Sequence, residues 1–132
     1  MLLLAHVGIS IVIAKFLGVN VPFALLAGLL PDIIDKPFNI LKIFPTGRFL
    51  AHTLLFAFFS SLLILIFTKP LLAVYWFLLI SSHYLLDLKG FIPLFYPLDK
   101  HIERSNFHIK VGKVEIVGEL IGFLMILWFF YY

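Results

Sequence analysis

Residues 71–88 read LLAVYWFLLISSHYLLDL, an apolar run with no basic residue and one carboxylate, Asp87. A run of about 18 or more apolar residues is what crosses the roughly 30 Å hydrocarbon layer of a bilayer as a helix. His83 and Asp87 lie inside this one. Ionisable groups at such places cost several kcal/mol each, and they mark a site where they persist. Four positions apart, the two share a helical face with side chains roughly 5–6 Å from each other, close enough to ligate one ion.

The surrounding chain has the same character. Of 132 residues, 63% are hydrophobic and 13% charged, with a mean hydropathy of +1.13, whereas a soluble domain is about 25% charged. Residues 1–132 are therefore expected to form a single integral membrane domain with the lipid bilayer as its surroundings. Residues 49–68 form another full span, closed by Lys69 and Pro70, and residues 115–132 form a last apolar segment. Near the start, residues 2–17 and 22–35 are shorter. Gly18 is expected to cap the first and Asn20 to begin the second, with Pro22 in its first turn and Pro37 preventing much continuation. The expected fold is all-α, a polytopic transmembrane helical bundle of four or five membrane segments, in which the first two are short enough to make a re-entrant hairpin. Residues 1–18 have no basic n-region and no clear cleavage site, so they read as a retained segment.

Charge orients these pieces. Lys36, Lys42 and Arg48 lie between the second and third segments, and Lys89, Lys100, Arg104, Lys110 and Lys113 between the fourth and fifth; the other two connections hold Lys15 and Lys69 alone. Cytoplasmic loops carry the excess of Lys and Arg, which places both basic loops and the N-terminus on the cytoplasmic side of a cell membrane. This distribution explains the net charge of +3 without nucleic acid, and none is expected as a partner. With no cysteine, disulfides, thiolate ligands and cysteine nucleophiles are excluded.

The expected topology gathers the polar residues at one face. His6 begins segment one, Asp32 and Asp35 end segment two, His52 lies one turn into segment three, and His83 and Asp87 end segment four. Helix-linking hydrogen bonds, which membrane helices also use, have no reason to collect at one face. Asp32 and Asp35, three apart, either share a cation or keep one proton between them. Imidazole and carboxylate without sulfur favour zinc, manganese or iron, and this set suffices for one or two ions. Arg48, four before His52, is either a topological charge or a group that steadies developing negative charge. Glu115 and Glu119 either add a carboxylate ligand or complement a helix N-terminus. His101 and His108 lie in the polar loop and are expected in solvent. Ser81 and Ser82 lack the turn of a serine nucleophile. Residues 90–98, GFIPLFYPL, suit the headgroup level, as an anchor or as a pocket wall.

These residues resemble the YdjM-like family of inner-membrane, LexA-binding proteins described as metal-dependent hydrolases. The matching elements are His6, the Leu-Leu-Pro-Asp motif from Leu29 to Asp32, Arg48 with His52 and Thr53, Ser82-His83 with Asp87, Pro93 to Pro97, and Glu115 at the last helix. The family often has a second His where this chain has Gly47, and its Pro-Asp-x-Asp element is here one residue longer, ending at Asp35. The ligand order is also similar, more distantly, to that of zinc phospholipase C and related nucleases. The resemblance implies a divalent transition metal, zinc above all, held by His6, Asp32, His52, His83, Asp87 and Glu115. Asp35 would be a further ligand or the general base, and Arg48 would stabilise the transition state. The implied substrate is a phosphoester or a lipid-linked one. Two alternatives stay open: a structural or partner-binding membrane protein, and an ion or proton relay.

Overall fold

The computed structural model describes residues 3–43, 48–87, 92–98 and 113–131. Among them are five α-helices and no strand: α1 (Leu3–Leu17), α2 (Val21–Ile40), α3 (Leu54–Phe67), α4 (Pro70–Asp87) and α5 (Lys113–Tyr131), with a 3-10 turn at Leu50–His52 ahead of α3. The fold is thus all-helical, as expected. One described helix, α4, is by itself long and apolar enough to cross a membrane, and α1 and α3 are apolar but shorter. Gly47, His101 and His108, and the first part of the 90–98 stretch, lie outside the described residues.

The α1–α2 hairpin follows the expected punctuation. Gly18 adopts φ +65°, and the Val19 N–H reaches back to the Ala14 carbonyl at 3.1 Å, the six-to-one bond that closes a helix behind a left-handed residue. Asn20 then accepts from the Phe23 N–H at 2.8 Å, starting α2 with Pro22 in its first turn.

Two boundaries differ from expectation. First, α2 does not end near Asp35 but runs through both Pro31 and Pro37 to Ile40. A proline removes one intrahelical bond and strains one turn; it does not forbid a helix held from outside, and α2 packs against α1, α4 and the Leu50–His52 turn. Second, residues 49–68 are not one helix. Asp35 accepts from the Phe49 N–H at 2.7 Å and the Ala51 N–H at 3.0 Å, drawing the chain into the 3-10 turn. Thr53 is extended and caps α3 by accepting from the Phe56 N–H at 3.0 Å. His52 therefore sits on a turn before the helix rather than within it.

The apolar core is made of Ala14, Ala24, Ala27, Ala57, Trp76, Leu79, Ile80 and Tyr84, and Trp76 donates to Ser60 Oγ at 3.2 Å, tying α4 to α3. The α1 and α5 helices run in the same direction. Leu4 N–H donates to Glu119 Oε2 at 2.7 Å, Gly8 faces Gly122 so closely that a Cβ on Gly8 would lie 2.6 Å from the Gly122 carbonyl oxygen, and Lys15 Nζ stands 4.4 Å above the Trp128 ring. Outside, large apolar side chains such as Phe58, Ile66, Phe67, Leu120 and Leu124 are exposed, while the fully buried side chains include His6, Asp35, His52 and His83. Polar groups inside and apolar ones outside reverse the usual arrangement of a water-soluble domain.

Candidate metal centre

Three helices and the turn bring the polar residues to one end of the bundle. Asp32 and Asp35 come from the later part of α2, His52 from the turn, and His83 and Asp87 from the last turns of α4. All five are buried, as is His6 from the start of α1.

His52 and His83 have the same tautomer for the same reason. The Nδ1 of His52 lies 2.7 Å from Asp35 Oδ2, and the Nδ1 of His83 lies 2.7 Å from the Gly28 carbonyl oxygen. The Asp35 carboxylate and the Gly28 carbonyl only accept, so each Nδ1 is assigned the proton, and in the neutral form of either ring Nε2 presents a lone pair. Those two Nε2 atoms face each other at 3.2 Å. Two acceptors at that distance repel unless a proton or a cation lies between them.

Carboxylates complete the group. Asp87 Oδ2 lies 3.5 Å from the Nε2 of both His52 and His83, and Asp32 Oδ1 lies 3.8 Å from His52 Nε2. One ligand atom each from Asp32, His52, His83 and Asp87 can be chosen so that all lie within 4.8 Å of one another. Four ligands about 2.0–2.2 Å from a tetrahedral ion stand about 3.3–3.6 Å apart, so the donor set is close to the size of such a shell. Among the described residues Asp32 Oδ2 and Asp87 Oδ2 are buried and make no hydrogen bond; Lys36 Nζ stands 3.8 Å from the first, and Arg48 holds the other oxygen of Asp87, so each oxygen has room to gain from a further positive charge. By donor type, spacing and orphaned oxygens, the four residues fit a divalent ion.

The other expected site residues fall around this group. His6 Nε2 lies 3.3 Å from Asp87 Oδ1, its ring lies 4.1 Å from that of His83, and neither of its nitrogens makes a hydrogen bond within the described residues. Arg48 Nη2 donates to Asp87 Oδ1 at 2.8 Å, leaving Oδ2 turned to the histidines. Asp35 is directed away from the group, its oxygens taken by Phe49, Ala51 and His52. Glu115, on α5, is not among the residues that converge there. Its neighbour Glu119 serves α1 through the Leu4 N–H.

Several contributors are not apparent in the sequence. The Gly28 carbonyl, which orients His83, carries no side-chain signal. Lys36 lies 3.8 Å from Asp32 Oδ2 at the edge of the group. Tyr84, beside His83 in an apolar run, donates a hydroxyl placed 2.8 Å from the Ala51 carbonyl and 2.9 Å from that of Thr53, holding the turn that presents His52. Of residues 90–98, Leu94 accepts from the Leu54 N–H at 2.9 Å, and Tyr96 packs its ring 5.1 Å from that of Phe49, so this stretch braces the same turn.

The sequence model of the YdjM inner membrane protein family matches residues 1–132, and the chain belongs to that family. No curated protein and no solved structure gives a significant match.

Proposed function

We propose that this chain is a polytopic membrane protein whose residues 1–132 form one bundle of four or five membrane segments, and that it is a metal-dependent hydrolase of phosphoesters with its centre at the cytoplasmic face. The observation that carries the reading is the pair of opposed Nε2 lone pairs, 3.2 Å apart, with Asp87 Oδ2 at 3.5 Å from each. One proton serves two acceptors, and the two carboxylate oxygens that converge beside them support an ion in its place. This favours a metal over a proton relay.

Asp32, His52, His83 and Asp87 would hold the ion, with zinc the best match to two imidazoles and two carboxylates. A bound divalent ion supplies Lewis acidity and lowers the pKa of water towards neutrality. The remaining work belongs to the chain. Asp35 orients His52 and the Gly28 carbonyl orients His83, as partners behind metal-ligating histidines do; this replaces the ligand or general-base role expected for Asp35. In hydrolysis the water oxygen bonds to phosphorus, the ester P–O bond breaks, and the departing alcohol takes up a proton. Asp32 Oδ2, 3.8 Å from Lys36 Nζ and without a hydrogen bond among the described residues, would accept the proton the water loses, and His6 would be the buried imidazole that protonates the leaving group. Arg48, fixed on Asp87, brings positive charge to the edge where the phosphoryl oxygens gain negative charge. Glu115 takes no part in this scheme.

The test is hydrolysis of the water-soluble diester bis(p-nitrophenyl) phosphate by zinc-loaded protein in mild detergent, compared with Asp87→Asn. Turnover that falls at least a hundredfold in the variant is expected. Absence of turnover in the unaltered protein, with zinc bound, would contradict the hydrolase reading and favour a structural or partner-binding role.

A further inference from the structure

Beside the centre lies a cleft of about 260 Å³ lined by Leu3, Leu29, Asp32, Ile33, Lys36 and Pro37. It joins two unlike environments. Its inner end is Asp32, which is 3% exposed, and whose Oδ1 lies 3.8 Å from His52 Nε2. Its outer walls are apolar, and Leu3 and Ile33 are half exposed on the molecule's apolar exterior. At the rim stands Lys36, also about half exposed, with its Nζ 3.8 Å from Asp32 Oδ2. That oxygen is buried, makes no hydrogen bond among the described residues, and faces Lys36 across this gap.

We propose that this cleft is the lateral entrance to the centre and receives a phosphate-headed lipid from the bilayer, a phosphatidic-acid-like molecule. A small soluble phosphoester would gain nothing from walls of Leu3, Leu29, Ile33 and Pro37. A lipid places its first methylenes against those side chains and its anionic head on the outward, exposed side of the Lys36 ammonium, which stands between it and the Asp32 carboxylate. The volume, slightly below the roughly 300–1,000 Å³ of sites that enclose a drug-sized ligand, holds a headgroup and the start of a chain. The rest of the chain remains in the bilayer. Lys36 provides a compact point charge for phosphate. What becomes of the bound lipid rests on the hydrolase reading above; the binding does not.

Binding of dioleoyl phosphatidic acid and of dioleoylglycerol, the same chains without phosphate, is measured by native mass spectrometry on detergent-solubilised protein. Four forms are compared: unaltered, Ile33→Trp, Lys36→Gln and Ile66→Trp. The expected result is at least tenfold preference for phosphatidic acid, at least tenfold weaker binding in Ile33→Trp, loss of the phosphate preference in Lys36→Gln, and unchanged binding in Ile66→Trp, which adds an indole to the exposed face of α3. The proposal is overturned if both lipids bind alike, if Ile33→Trp and Lys36→Gln bind as the unaltered protein does, or if Ile66→Trp weakens binding as much as Ile33→Trp. Should Ile33→Trp not fold, the phosphate preference in Lys36→Gln decides. Hydrolysis of bis(p-nitrophenyl) phosphate without selective lipid binding overturns the cleft alone. Selective lipid binding without hydrolysis of bis(p-nitrophenyl) phosphate overturns the hydrolase reading and leaves the cleft standing.

Discussion

Asp35 and Asp32 are three residues apart on one helix and do different work. Asp32 faces the Nε2 side of His52, whereas Asp35 lies behind the same ring at Nδ1 and holds two backbone N–H groups of the turn. Replacement of Asp35 by Asn keeps the size but removes the charge that fixes the tautomer. Zinc affinity is expected to fall about 10–100-fold, the usual effect of losing a partner behind a metal-bound histidine, as measured by competition with a chromophoric chelator. Unchanged affinity would assign His52 no part in holding the ion. Tyr84→Phe is a milder counterpart. Its hydroxyl bonds two buried carbonyls, and its loss should cost about 1–3 kcal/mol of stability, read as a lowered thermal midpoint, with zinc still bound. Of these residue-scale features, His83 with Asp87 was legible because local helical spacing dictates that they share a face, whereas the same spacing argument paired Asp32 with Asp35, which turns instead to the His52 turn. The roles of Asp35, Tyr84 and the Gly28 carbonyl were not legible, since each depends on contacts between residues 14 to 55 positions apart.

At the scale of elements, the interface between α1 and α5 depends on glycine at a crossing where backbones nearly touch. A Cβ on Gly8 would lie 2.6 Å from the Gly122 carbonyl oxygen, and one on Gly122 would overlap the Leu4 backbone. Neither obstacle is the end of a flexible side chain, so Gly122→Val should push α5 off α1. Overpacking of this kind costs about 1–3 kcal/mol or more. Because Leu4 and His6 are on α1, the variant should also weaken zinc binding modestly; intact stability in thermal scans would show that the helices do not approach this closely. The turn between α1 and α2 was legible, since Gly18, Asn20 and Pro22 act through local backbone geometry. The end of α2 and the start of α3 were not. Pro37 weakens a helix that tertiary packing nonetheless maintains, and the 3-10 turn exists because a carboxylate on another helix accepts its N–H groups.

For the whole molecule, the apolar exterior and the gathering of ionisable residues at one end follow from the same distribution along the chain. The composition made membrane character legible, but the number of crossings depends on how short helices such as α1 and α3 meet the bilayer, which their 15 and 14 residues do not decide. The chain has no cysteine, so single-cysteine variants report topology cleanly. Lys42→Cys should be protected from a membrane-impermeant maleimide in intact cells, and Lys69→Cys should be labelled. Labelling of both would contradict the proposed orientation.

The central claim is that Asp32, His52, His83 and Asp87 hold a metal ion. The most direct measurement is elemental mass spectrometry on protein purified in mild detergent, beside the His83→Ala/Asp87→Ala double variant, with helicity of both checked by circular dichroism. One or two equivalents of a transition metal, zinc foremost, are expected in the unaltered protein and none in the variant. A folded protein without metal, or a folded variant that retains it, would contradict the account.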